Sequence, residues 1–178
     1  KKNAQICEKY SFRWKSLRPK KISKSNTLMS EVVNYELKNV DKKKKKYDAV
    51  ILLQPTSPLR SYKDIDKACS IFIKNKSDSL VSISELKHNY NPNSLFKIKN
   101  KLLNKICKKK IPALRQKKDK FFYANGAAIY ITRINKIKDY FVGGKISYLM
   151  MEEKNSIDID NLYDFKLAEL IKINFNKL

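Results

Sequence analysis

Seven residues, Tyr47-Asp48-Ala49-Val50-Ile51-Leu52-Leu53, restrict the fold of this 178-residue chain more than any other stretch. The last five are apolar without alternation, which reads as a strand buried on both faces, the habit of parallel sheets covered by helices. Gln54-Pro55-Thr56-Ser57-Pro58 ends the run, because proline cannot continue a central strand. Ser61 and Asp64 then form a capping-box pattern ahead of Ile65, Ala68, Phe72 and Ile73 at helical spacing. Leu80-Val81-Ser82-Ile83 reads as the next strand. Strand, turn, helix and strand predict a βαβ unit with a right-handed crossover.

The flanking segments are consistent with that class. Ser25 or Asn26 is placed to cap a helix carrying Met29, Val32, Val33 and Leu37. From Asn89 to Lys120 short apolar patches alternate with lysines, which fits a hairpin or a small projecting subdomain. Phe121 to Ile131 is apolar apart from Asn125-Gly126. That pair is either a two-residue hairpin turn or an irregularity in a buried strand, where glycine permits close backbone approach. A strand is predicted near Ser147 to Met151. Asp158 and Asp160 precede a last helix bearing Leu162, Phe165, Ala168 and Ile171. With no repeat and no Gly/Ser linker, residues 1–178 read as one α/β domain.

Composition excludes several classes. At 42% hydrophobic residues the chain is not disordered in character. No apolar run approaches the roughly 20 residues that span a bilayer, and Lys1-Lys2 leads into no apolar signal-peptide core. Cys7, Cys69 and Cys107 are odd in number and scattered, which fits reduced thiols and a cytoplasmic protein. His88 is the single histidine, so His-rich zinc sites are excluded. The net charge of +23 raises nucleic-acid binding as a reading. Lysine is spread along the whole chain, however, and no nucleic-acid motif accompanies it. The run Lys42 to Lys46 reads as a solvated loop.

Few residues carry chemistry by pattern alone. Gln54 stands at the carboxyl end of the most buried strand, where open α/β sheets bind ligands. Its amide both donates and accepts, and so can orient a sugar hydroxyl or amide; a proline-shaped turn before the Ser61 cap explains the stretch equally well. Asp158 and Asp160 are two apart, so an extended segment puts both carboxylates on one side. Two hard oxygens suit Mg²⁺ alongside substrate phosphates. The plainer alternative is that Asp160 or Asn161 caps the helix. Arg115 has the fork geometry to grip a carboxylate, or is a surface charge.

Taken in order, LLQPTSPLR (Leu52 to Arg60), Arg115-Gln116, Asn125-Gly126-Ala127 with Ile129-Tyr130-Ile131, and SIDID (Ser156 to Asp160) resemble the acylneuraminate cytidylyltransferases. Leu17-Arg18-Pro19 matches a stretch that this family carries upstream, so the resemblance covers nearly the whole chain. It implies a Rossmann-like nucleotidyltransferase fold with a mostly parallel sheet. It also implies transfer of CMP from CTP to the anomeric hydroxyl of a nine-carbon sugar acid, with release of pyrophosphate. The QPTSP residues favour a sialic or legionaminic acid over the related octulosonate and pseudaminic substrates. By the same resemblance Gln54, Arg115, Asn125 and Tyr130 face the sugar acid, and Arg18 lies near the nucleotide. Asp158 and Asp160 hold Mg²⁺, and a projecting element within 89–120 forms a homodimer contact. Such chemistry rests on positioning and charge neutralisation more than on a nucleophilic side chain.

The sequence departs from the family pattern in one respect that matters. The family opens with a strand and a Gly- and Lys-containing loop for the CTP phosphates. Here the only glycines are Gly126, Gly143 and Gly144, and Ser23-Lys24-Ser25-Asn26 lacks an aspartate usual there. The expectation is an N-terminally truncated member that binds CTP poorly by itself and exposes a sheet edge. Two other readings follow: an inactive remnant that retains the sugar site or dimer surface, and a basic nucleic-acid-binding domain.

Overall fold

The computed structural model describes residues 6, 9–10, 17–41, 46–107, 119–126, 128–137 and 141–175. They fall into two compact units, Lys1–Asp48 with Ile137–Phe141, and Ala49–Lys136 with Val142–Leu178.

The first unit contains helix α1 (Met29–Val40). It starts one turn later than the caps in the sequence predict: Leu28 is the N-cap and supplies no side-chain bond. Ser25 and Asn26 lie instead in a turn closed by Thr27, whose backbone N–H donates to the Lys24 carbonyl. The Lys24 N–H in turn donates to the Thr27 hydroxyl. Val33, Ile137 and Phe141 are buried in this unit. Asp41, also buried, accepts the backbone N–H groups of Lys46 and Tyr47.

The second unit is an α/β layer. Its strands are β1 (Ala49–Leu52), β2 (Ser79–Glu85), β5 (Phe122–Ala124), β6 (Tyr130–Arg133) and β7 (Ile146–Met150), with β3 (Phe96–Lys99) and β4 (Leu102–Lys105) forming a separate hairpin. Helix α2 (Tyr62–Lys74) joins β1 to β2, and α3 (Leu162–Phe175) ends the unit. The α/β class is as the sequence predicts, and β1, β2 and β7 run in one direction. The sheet is nevertheless mixed rather than mostly parallel. β6 lies antiparallel between β1 and β2, so those two strands are not neighbours, and among the described strands only the β2–β7 pairing is parallel. Nor is β1 buried on both faces as its continuous apolarity suggests: among the described strands it borders β6 alone, and none of its four residues is fully buried. Ile51 is 40% exposed, and β2 is the most buried strand instead.

Ile65, Ala68, Cys69 and Phe72 recur along one face of α2 and pack on the sheet. They meet Leu80 of β2, Ala128, Ile129 and Ile131 of the β6 segment, and Leu149 and Met151 at β7. Ile73 is the exception: about 100° further round than Phe72, it stands 70% exposed. The capping box forms as predicted. Asp64 Oδ2 accepts from the Ser61 N–H at 2.8 Å, while the Ser61 hydroxyl accepts from the Asp64 N–H at 3.2 Å. Ser61→Ala is expected to cost about 1 kcal/mol, read as a lower denaturation midpoint; an unchanged midpoint would show that the cap is dispensable.

Asn125-Gly126 does not turn a hairpin. β5 and β6 both pair antiparallel with β2, Ala124 opposite Ile83 and Tyr130 opposite Val81. Two steps along β2 therefore face six along the other segment, so one strand course is interrupted by a wide bulge at Asn125–Ile129. The hairpin turn lies instead at Asn100-Lys101, where both residues take positive φ, 52° and 61°, as two-residue turns with matching twist require. β7 falls where predicted. Along α3, Ala168 is the residue taken into the interior, while Leu162 and Phe165 are exposed. No helix among the described residues is long and apolar enough to cross a membrane.

Candidate functional site

Three loops meet at the end of the sheet where β1 and β2 finish. The first is Gln54–Arg60. Arg60 folds back over it, its guanidinium donating to the carbonyls of Gln54 at 2.5 Å and Ser57 at 2.8 Å. Burial lowers the pKa of Arg60 from its ordinary value, while the two carbonyls give its hydrogens fixed partners. The conformation of the proline-rich turn is thus held by the last residue of the motif. Gln54 is half-buried at the strand end, and its side-chain oxygen takes a long 3.5 Å contact from the Thr56 hydroxyl.

The second loop is the bulge. Gly126 sits at φ +63°, and a Cβ there would clash with the Asp158 carboxylate, 2.1 Å from its Oδ2. The glycine thus serves two ends, a left-handed backbone and room for the acid. Fully buried Ser57 donates to the Gly126 carbonyl at 3.4 Å, joining the first two loops. The third loop is Ser156–Asp160. Its Ile159 N–H donates to the Thr56 carbonyl at 2.8 Å, which ties it to the first.

Asp158 lies at the centre of this junction. Its Oδ1 is buried and has no hydrogen-bond partner among the described residues, an unusual state for a carboxylate oxygen, which normally keeps partners when removed from water. Asp160 is exposed. The helix cap beside it is Asn161, whose Oδ1 accepts the N–H groups of Tyr163 and Asp164. Asp164 reciprocates by accepting from the N–H groups of Asp160 and Asn161. Neither Asp158 nor Asp160 is therefore spent on capping. The described residues contain no group of three or more His, Cys, Asp or Glu able to enclose a metal ion. A hard cation at Asp158 would draw its remaining oxygens from water and phosphate, as Mg²⁺ habitually does. A buried carboxylate oxygen without a partner fits that role.

Asn125 is placed otherwise than as a group facing ligand. It is 1% exposed, and its side-chain oxygen accepts from the Ser82 hydroxyl at 2.6 Å. Its Nδ2 donates to Ser156 at 2.8 Å and lies near Ser84 and the Met151 sulfur. Tyr130 opens β6, half-buried and opposite Leu52, two residues before Gln54. Arg18 is exposed in the first unit. Arg115 and Ala127, like Cys7 and residues 108–118 of the expected dimer element, lie outside the described residues. Cys69 and Cys107 are free thiols.

The sequence reading missed Arg60 as the clamp of the first loop, and Ser82, Ser84 and Ser156 as the polar interior beneath the bulge. A signal existed for the serines. Ser82 and Ser84 are two apart in a strand, so both face one side, the side toward the bulge.

An α/β layer whose loops converge beyond the carboxyl ends of its strands is a ligand-binding architecture of the open-sheet kind. No protein-family profile matches the chain. Over 129 residues, 70% of its length, it is 30% identical to post-translational flagellin modification protein B of Campylobacter coli. The chain spans about half, 53%, of the length of that protein.

Proposed function

We propose that this chain is a cytidylyltransferase whose converging loops hold the sugar acid and a divalent cation. The observation that carries the reading is the meeting of QPTSP, Asn-Gly and SIDID around Asp158, three motifs separated by many residues. In the proposed reaction the anomeric hydroxyl of a sialic- or legionaminic-type acid attacks the α-phosphorus of CTP. One P–O bond forms, the bond to pyrophosphate breaks, and the hydroxyl proton leaves to solvent. Gln54 and Tyr130, at the same end of β1 and β6, would orient the sugar acid, with Arg115 on its carboxylate and Arg18 toward the nucleotide. Asn125 would act from below by holding the bulge in shape. Asp158 and Asp160 would hold Mg²⁺. When bound, that ion neutralises charge on the phosphates.

Similarity to a flagellin modification protein supports a place in supplying an activated sugar for attachment to a surface protein. The whole-protein activity is part of the proposal, because the match spans about half of that relative. A second copy is the proposed partner of the β3–β4 hairpin. Phe96, Ile98 and Leu103 share one of its faces, and Ile98 and Leu103, directly paired, are 79% and 68% exposed. Two-stranded hairpins are marginal in water without a covering layer.

The test is pyrophosphate release by the purified chain with CTP, Mg²⁺ and N-acetylneuraminic or legionaminic acid. Release that needs all three is the expected result. Sugar binding without CTP binding or turnover would point to the binding-only reading. Salt-sensitive affinity for DNA or RNA with neither would return the nucleic-acid reading.

A further inference from the structure

The buried side chains beneath the bulge form a hydrogen-bond chain with a direction. The Ile129 N–H donates to Ser82 Oγ at 2.9 Å, and that hydroxyl passes its own hydrogen to Asn125 Oδ1. Asn125 Nδ2 and the Ser84 hydroxyl both give hydrogens to Ser156 Oγ, at 2.8 and 2.7 Å. Ser156 donates onward to the Glu152 carbonyl at 2.9 Å. All four side chains are 5% exposed or less. The side-chain links converge on Ser156, the first residue of the loop that carries Asp158.

That loop is pinned again three residues later, where the Ile159 N–H meets the Thr56 carbonyl. Only Ile157 and Asp158 lie between the two anchors. With Gly126 backing the carboxylate, Asp158 has little freedom to turn. The contrast within the cluster is informative. The polar interior satisfies its own donors and acceptors, yet Asp158 Oδ1, beside it, is buried and unpaired among the described residues. A core built only for stability would extend one more hydrogen bond to that oxygen, since an orphaned buried acceptor costs about 1–3 kcal/mol.

We infer that Ser156, with Ser84, Asn125 and Ser82 behind it, is a positioning residue. It holds Asp158 with one oxygen turned toward a divalent cation. The inference rests on the cation reading of Asp158, and deepens it by naming the side chains that set the geometry. Partners one shell behind a metal ligand affect affinity by about 10–100-fold when removed.

The probe is Mn²⁺ alone, titrated into the full chain and followed by electron paramagnetic resonance, with thermal midpoints recorded in parallel. Ser156→Ala is expected to weaken Mn²⁺ binding by about 10-fold or more, and Ser84→Ala to weaken it in the same direction. Ser84→Ala leaves the Asp158 loop untouched in sequence, and so serves if Ser156→Ala does not fold. The control is Ser77→Ala. Ser77 is equally buried and shares a hydrogen bond with Ser147, but at the opposite end of β2. It should lose stability while keeping Mn²⁺ affinity within about two-fold, because its partners lie outside the metal's surroundings. If the Ser156 and Ser84 variants weaken Mn²⁺ no more than Ser77→Ala at a matched fall in midpoint, the network is structural only and the inference is overturned. Asp158→Asn separates the two levels. Mn²⁺ affinity that survives this change, or is absent from the wild type, overturns the cation reading and the positioning role with it. Loss with Asp158→Asn but not with Ser156→Ala or Ser84→Ala removes the positioning role alone.

Discussion

Replacing Gly126 by alanine is expected to lower both the stability and the activity of the protein. Two costs add at this one atom. An L-residue held at φ +63° pays about 1–2 kcal/mol, and forcing a methyl group into a filled site costs about 1–3 kcal/mol more. For a chain of this size the sum corresponds to a fall in Tm of roughly 5–15 °C. The displaced neighbour is the Asp158 side chain, so Mg²⁺-dependent pyrophosphate release should drop further than the loss of folded protein accounts for. Activity per folded molecule equal to wild type would show that the contact between Gly126 and Asp158 is packing alone.

Asp158→Asn is expected to produce the opposite pairing of effects. Turnover should fall by about 100-fold or more, the scale on which single groups that stabilise developing charge act. Thermal stability, in contrast, should hold or rise. The wild-type residue places a carboxylate oxygen in the interior with no partner, and a neutral amide of the same shape is cheaper to bury. A stability gain coupled to lost activity marks a residue kept for function. A fall in Tm without a change in turnover would assign Asp158 to the scaffold instead. The two variants together distinguish a site that has lost its shape from one that has lost its charge.

The order of elements around α2 was legible because each step rests on local chemistry. Continuous apolarity marks β1, proline stops it, and Ser61 with Asp64 starts the helix through bonds confined to one turn. The same locality explains the limits of that reading. Ser25 and Asn26 have capping chemistry, but Thr27 captures the backbone there in a turn, and α1 begins at Met29. Along α3 the apolar residues lie on more than one side, so spacing could not select Ala168 as the inward residue.

The site divides in the same way. Its parts, Gln54 at a strand end and two aspartates in one loop, were visible as residue types in a spacing. Their meeting was not, since Ser57 bonds Gly126 and Ile159 bonds Thr56 across long stretches of chain, and no local rule encodes such contacts. Whether Asn125-Gly126 turned a hairpin or bulged a strand stayed open in the sequence because both use the left-handed freedom of glycine. Pairing with β2 decided it, and with it the inward turn of Asn125. What the sequence by itself determined is the α/β class, the capped helix α2 and the identity of the candidate groups, all properties of neighbouring residues. The insertion of β6 between parallel strands, the polar chain ending on Ser156 and the unpaired oxygen of Asp158 were decided by tertiary structure alone, because burial and hydrogen-bond satisfaction exist only once distant segments have met.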